Sequence, residues 1–147
     1  TAWVIQSHIM AMFLPSLVSG FLLDRYGPSR MITAGAGVLI LCLAVAFLGR
    51  HLMHYWWALV LLGIGWNFMY LGGTALLTRT YEANERFKVQ ACNDFIVFAM
   101  QAVAALSSGF FLFSFGWSWL VYLSACVLIV PLALVGSKQL ALKGLKA

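Results

Sequence analysis

Long apolar runs broken by short polar gaps set the plan of this chain. Crossing ~30 Å of hydrocarbon takes ~20 mostly apolar residues at 1.5 Å per residue. Five stretches meet that requirement, at about 2–23, 31–49, 56–77, 93–113 and 117–136. None alternates with a period of two, and lipid admits only helices or closed barrels, so the pattern predicts five membrane helices. The gaps are DRYGPS with Arg30, RHLMHY from Arg50 to Tyr55, a longer segment from Thr78 to Cys92, and a tight turn at Ser114 to Gly116. Residues 1–136 therefore read as a transmembrane bundle and 137–147 as a basic cytoplasmic tail.

Composition sharpens that picture. Apolar residues make up 63% and charged residues 9%, with a mean hydropathy of +0.95. Soluble domains carry roughly a quarter charged residues, so most of this exterior faces lipid. The net charge of +5 does not point to nucleic acid, because the basic residues sit in the gaps instead of on one soluble face. Of the nine Lys and Arg, all but Arg50 fall on one side of the predicted bundle. The positive-inside rule makes that side cytoplasmic, with the N-terminus outside and the C-terminus inside. An integral protein of a bacterial inner (plasma) membrane is expected. Trp56, Trp57, Trp117 and Trp119 lie at helix ends on the other side, as headgroup anchors do.

Cys42, Cys92 and Cys126 show no redox or metal spacing. His51 and His54 lack an acidic partner, so neither a metal nor a cofactor is expected. With no charged region before it, the first apolar run reads as a span and not as a signal peptide. A missing upstream segment is expected.

Polar residues at membrane depth are costly and mark interior faces or water-filled paths. The second and fifth predicted helices carry few and read as lipid-contacting. The first carries His8, Ser16 and Ser19 on one stripe, with Pro15 able to kink it. The third carries Asn67, Tyr70 and Thr74 on one face, flanked by glycines that permit close packing, and the fourth carries Asp94, Gln101 and Ser108 at offsets of seven. His8, Asn67, Tyr70 and Gln101 are the candidate substrate contacts, each with an interhelical hydrogen bond as its simpler role. Asp94, expected near the cytoplasmic end of its helix, suits a gate or cap. Trp66 and the Phe-rich fourth helix could wall an apolar pocket or simply pack.

One loop goes further. GFLLDRYGPSR, from Gly20 to Arg30, resembles the cytoplasmic signature G-x-x-x-D-[RK]-x-G-x-[RK]-[RK] of the major facilitator superfamily. Gly20, Asp24, Arg25, Gly27 and Arg30 match, while Ser29 replaces one basic position. The residue chemistry suits a gate: Gly27 can take a positive φ in a tight reversal, and Gly20 lets a helix approach closely. Arg25 and Arg30 can pair with Glu82, Glu85 or Asp94 in one state of a two-state protein, with Arg86 also on that side.

The resemblance implies an all-α polytopic fold in which these five helices are part of a six-helix half, the eighth to twelfth of twelve. In that family the eighth, tenth and eleventh helices line the cavity. The implied function is secondary active transport of a small organic solute by alternating access, with protons a candidate coupling ion carried by His8 or by the absent part. The implied partners are that solute, the lipid bilayer and the missing N-terminal helices. A stand-alone membrane scaffold or assembly protein is the alternative. An intramembrane enzyme using His8 and Asp94 is disfavoured, since the two lie near opposite ends of their helices.

Overall fold

The computed structural model describes residues 2–49 and 51–144, with side chains as far as residue 133. It contains six helices and no strand among the described residues: α1 (Ala2–Phe13), α2 (Ser16–Tyr26), α3 (Pro28–Leu48), α4 (Leu52–Leu77), α5 (Arg86–Phe115) and α6 (Trp117–Gly144). α1 and α2 together form one span of 25 residues, and α3, α4 and α5 are each long and apolar enough to cross a membrane. The apolar part of α6 with described side chains, Trp117–Ala133, is shorter.

The polar gap at 24–30 contracts almost entirely into helix. Gly27 alone stands outside it, at φ 79°, and its N–H donates to the Leu23 carbonyl at 2.9 Å. Pro28 then opens α3, a position where its missing N–H costs nothing. Gly116, at φ 80°, makes the corresponding reversal between α5 and α6. Positive φ is strained for residues with a Cβ, so both turns depend on glycine.

α5 begins at Arg86, well before the expected start near Asn93. Hydropathy marks only the apolar part of a helix, whereas Arg86, Lys88, Val89, Gln90 and Ala91 are all compatible with helix beyond the hydrocarbon. Asp94 therefore lies two turns inside α5 and not at its end.

α3 and α4 form the tightest pair. A Cβ built on Gly35 would fall 2.9 Å from the Gly65 carbonyl, and one on Gly65 would fall 2.7 Å from Leu39 Cδ2. Small residues let the backbones approach, which is how helices gain contact where the surrounding lipid is as apolar as their side chains. On the opposite face of α4, Gly63 admits α1: its Cβ would meet the His8 carbonyl at 2.8 Å. The buried core is modest, with Val4, Met31, Ala36, Cys42, Ala58, Val121 and Leu128 as its apolar members. Large apolar side chains such as Leu17, Phe95, Leu106 and Phe113 are exposed, as expected of a surface that faces lipid. α5 packs on α6 and buries none of its residues.

Candidate functional site

Two polar joints lie on neighbouring parts of one face of α4. The first is the break between α1 and α2. Pro15 has no N–H to donate, so the regular ladder stops after Leu14 N–H to Met10 O (2.7 Å) and resumes with Val18 and Ser19 donating to the Pro15 carbonyl. Asn67 fills the gap from α4. Its Nδ2 donates to the Met12 carbonyl and to Ser16 Oγ, both at 2.7 Å. Ser19 Oγ donates to the Pro15 carbonyl at 2.7 Å and stands 3.4 Å from Asn67 Oδ1. Asn67 is 2% exposed and Ser19 is fully buried. The joint is buried and its amide nitrogen is fully used, so the Met12 carbonyl at the break is satisfied within the protein.

His8 bonds in the same direction, its Nδ1 donating to the Leu59 carbonyl of α4 at 2.7 Å. That contact fixes the tautomer and leaves Nε2 as the acceptor. His8 and Asn67, expected together at a solute path, thus tie α1 and α2 to α4.

The second joint lies between α4 and α5. Tyr70 Oη donates to Asp94 Oδ1 at 3.0 Å, and Asn93 Nδ2 donates to the same oxygen at 3.2 Å. Trp66, one turn from Tyr70 on α4, stacks on its ring with centroids 4.9 Å apart and planes within 7°. Phe98, one turn from Asp94 on α5, lies 6.2 Å from Tyr70 at 48°. Two i, i+4 pairs therefore meet across the helices. Tyr70 sits about 8 Å from the midpoint of α4 at 1.5 Å per residue, inside the roughly 15 Å half-thickness of hydrocarbon. Asp94 shares that level, and this corrects its expected position at a helix end. Gln101 lies farther along the same face of α5 and is exposed. Thr74 continues the α4 stripe, its Oγ1 buried without a partner.

Beyond this joint α5 stands apart from α4. A cavity of about 650 Å³ opens among α3, α4, α5 and α6, lined by side chains such as Leu39, Leu62, Met69, Phe111 and Leu128. Ser107 and Ser108 reach it, but both return their hydroxyls to carbonyls of their own helix. Trp66 is not part of its wall; it belongs to the Tyr70 stack instead.

The charged turn is laid out differently from expectation. No ion pair joins Arg25 or Arg30 to Glu82, Glu85 or Asp94 among the described residues. Arg25 lies near the rings of Phe21 (6.0 Å) and Tyr26 (5.5 Å), and Asp94 is held by Tyr70. The reason is position: Arg25 and Arg30 stand at the helix ends around Gly27, while Asp94 lies deeper against α4. Asp24, Arg25, Arg30 and Arg86 are exposed. Gly20 is exposed too, with no described atom within 4 Å of a built Cβ, so no helix here uses the close approach it allows. Among the described residues no group of three or more His, Cys, Asp or Glu could hold a metal.

Sequence reading missed the partnership of Tyr70 with Asp94 and of Pro15 with Asn67. The i, i+4 spacing of Trp66 with Tyr70 and of Asp94 with Phe98 was visible, but which helices would face each other was not.

Comparison with known proteins fits this architecture. A family model described as Major Facilitator Superfamily matches residues 1–137. The riboflavin transporter RfnT of Brucella anthropi is 40% identical over 133 residues, covering 88% of this chain and 33% of that transporter. The uncharacterized MFS-type transporter YdeG of Bacillus subtilis is 40% identical over 108 residues, covering 72% of this chain and 25% of that protein. Rv1250 of Mycobacterium tuberculosis, another uncharacterized MFS-type transporter, is 26% identical over 132 residues, 90% of this chain and 23% of its own length. The chain thus spans a third or less of these relatives. No solved structure matches it.

Proposed function

The chain belongs to the major facilitator superfamily, and from that premise we propose that it is part of a secondary transporter carrying a small organic solute across the bilayer by alternating access. The observation that carries the proposal is the joint between α4 and α5. A carboxylate and a phenol at hydrocarbon depth are costly unless they serve a path, and here they bridge two helices that otherwise pack loosely. Beside it on α4, Asn67 gives the Met12 carbonyl a side-chain donor at the proline break, so the α1–α2 span has a supported bend at which it can rock. The five spans act as helices eight to twelve of twelve, with the remaining helices completing the central site. If protons drive transport, His8 and Asp94 are the carriers this segment offers.

The similarity to RfnT nominates riboflavin as the first solute to test. The full-length protein, reconstituted in liposomes, should exchange labelled solute across the membrane. Asp24→Asn should lower that exchange about tenfold or more while leaving insertion and folding intact, because Asp24 lies in the charged turn that sorts the two states. Intact, well-folded protein that exchanges no solute from a broad panel would sink the transporter reading in favour of a scaffold. The proposed orientation, with the Gly27 turn and Arg86 cytoplasmic, is checked by cysteines placed at Arg86 and His51. A membrane-impermeant reagent should reach them from opposite sides.

A further inference from the structure

We infer that the α4–α5 joint recognises a neutral, flat aromatic ring system through one of its ring N–H groups, with Trp66, Tyr70 and Phe98 as the ring contacts and Asp94 as the acceptor. The inference rests on the transporter reading above and gives that site its substrate class.

The shape argument comes from the rings. Trp66 and Tyr70 stack within 7° of parallel, so their facing sides cover each other and a further ring meets the outer face of the stack. Aromatic faces favour further rings in offset or edge contact. Phe98 stands 6.2 Å from Tyr70 and is 51% exposed. A ring seated between two others needs about 3.5 Å on each side, so an outward swing of Phe98 by roughly 1 Å would admit one. Phe98 has room for that movement because α5 buries nothing along its length.

The polar argument comes from Asp94. Both of its donors, Tyr70 Oη and Asn93 Nδ2, converge on Oδ1. Oδ2 is not among the buried unpartnered oxygens and remains open to a further donor. Both present donors are neutral, and a neutral third donor at Oδ2 continues that pattern. A ring N–H set beside the stack meets Oδ2 as a hydrogen bond, and a site built to receive a proton discriminates strongly against the analogue lacking it. Gln101 extends the α5 stripe and leaves an exposed amide for a substituent of the ring.

The test uses the full-length protein with riboflavin, whose ring carries an N–H at N3, and with its N3-methyl derivative, which has none. Binding is followed by quenching of flavin fluorescence on the aromatic stack. The unmodified protein should bind riboflavin about tenfold or more tightly than the methylated form. Asp94→Asn should erase most of that preference, and Trp66→Leu or Phe98→Leu should weaken both flavins alike. Equal affinity for the two flavins in the unmodified protein overturns the inference, even if a variant fails to fold. So does tighter binding of a flat aromatic cation, which would make the joint a cation site. A protein that transports other solutes but binds no flat ring overturns this inference alone. One that transports nothing overturns the proposed function with it.

Discussion

α4 meets α1 and α2 through Asn67 and α5 through Tyr70, and the two contacts use polar residues in opposite ways. Toward α1 and α2, Asn67 is 2% exposed and its amide nitrogen makes two 2.7 Å bonds. Toward α5, Asp94 keeps one oxygen open and its neighbour Phe98 is half exposed. Both residues are costly in the membrane when unpaired, yet one has been enclosed and the other left accessible. A buried polar group with every bond made holds helices together, and one with a spare acceptor beside open space is suited to a ligand. Closeness of packing marks the difference: glycines draw α4 against its neighbours on the enclosed side, and none does so toward α5.

That contrast can be broken by substitution, most forcefully at the glycines. Gly65→Leu should cost about 3 kcal/mol by overpacking, since Leu39 Cδ2 and the Gly35 carbonyl already occupy the space. Loss of folded full-length protein in a detergent thermal melt would show it. Gly73→Ala on the same helix is the control, because no described atom lies within 4 Å of its built Cβ, and its melting temperature should hold or rise slightly. A similar loss from both would mean that close approach at Gly65 does not set the cost.

Asn67→Ala comes next. It leaves the Met12 carbonyl without its side-chain donor at the proline break and should destabilise by about 1–3 kcal/mol. Unfolding titration of the full-length protein measures it, and an unchanged midpoint would remove the structural role. Any solute affinity measured on the folded fraction should change little. If instead the affinity drops at constant stability, Asn67 touches solute and the two joints of α4 are more alike than their burial implies.

The smallest stability effect belongs to Tyr70→Phe. Single interhelical hydrogen bonds in membranes average about 0.6 kcal/mol, so its melting point should barely move. Solute affinity should shift severalfold because Asp94 loses one of its two donors. A large melting shift with unchanged affinity would make the α4–α5 joint structural as well.

Much of this was legible along the chain. The spans followed from hydropathy alone, Pro15 and Gly27 marked a break and a turn, and His8, Asn67, Tyr70 and Asp94 stood out as polar residues in apolar runs. The boundary of α5 was misplaced by reading hydropathy as helix, which moved Asp94 outward by two turns. The pairings of Arg25 or Arg30 with the acids, expected in one of two states, are absent from this conformation among the described residues, where Asp94 lies deeper and is held by Tyr70.

The sequence by itself determined that the apolar segments are helices and where polar turns separate them, because both depend on the transfer of short segments between water and oil. Only the tertiary structure decided which polar residues are closed off and which stay open. That outcome depends on which helix faces meet, and the faces are set by packing between segments as distant as Met12 and Asn67. Periodicity shows that Asn67, Tyr70 and Thr74 share the polar stripe of α4. Only the folded bundle shows that α1 and α2 enclose Asn67 while Asp94 of α5 meets Tyr70.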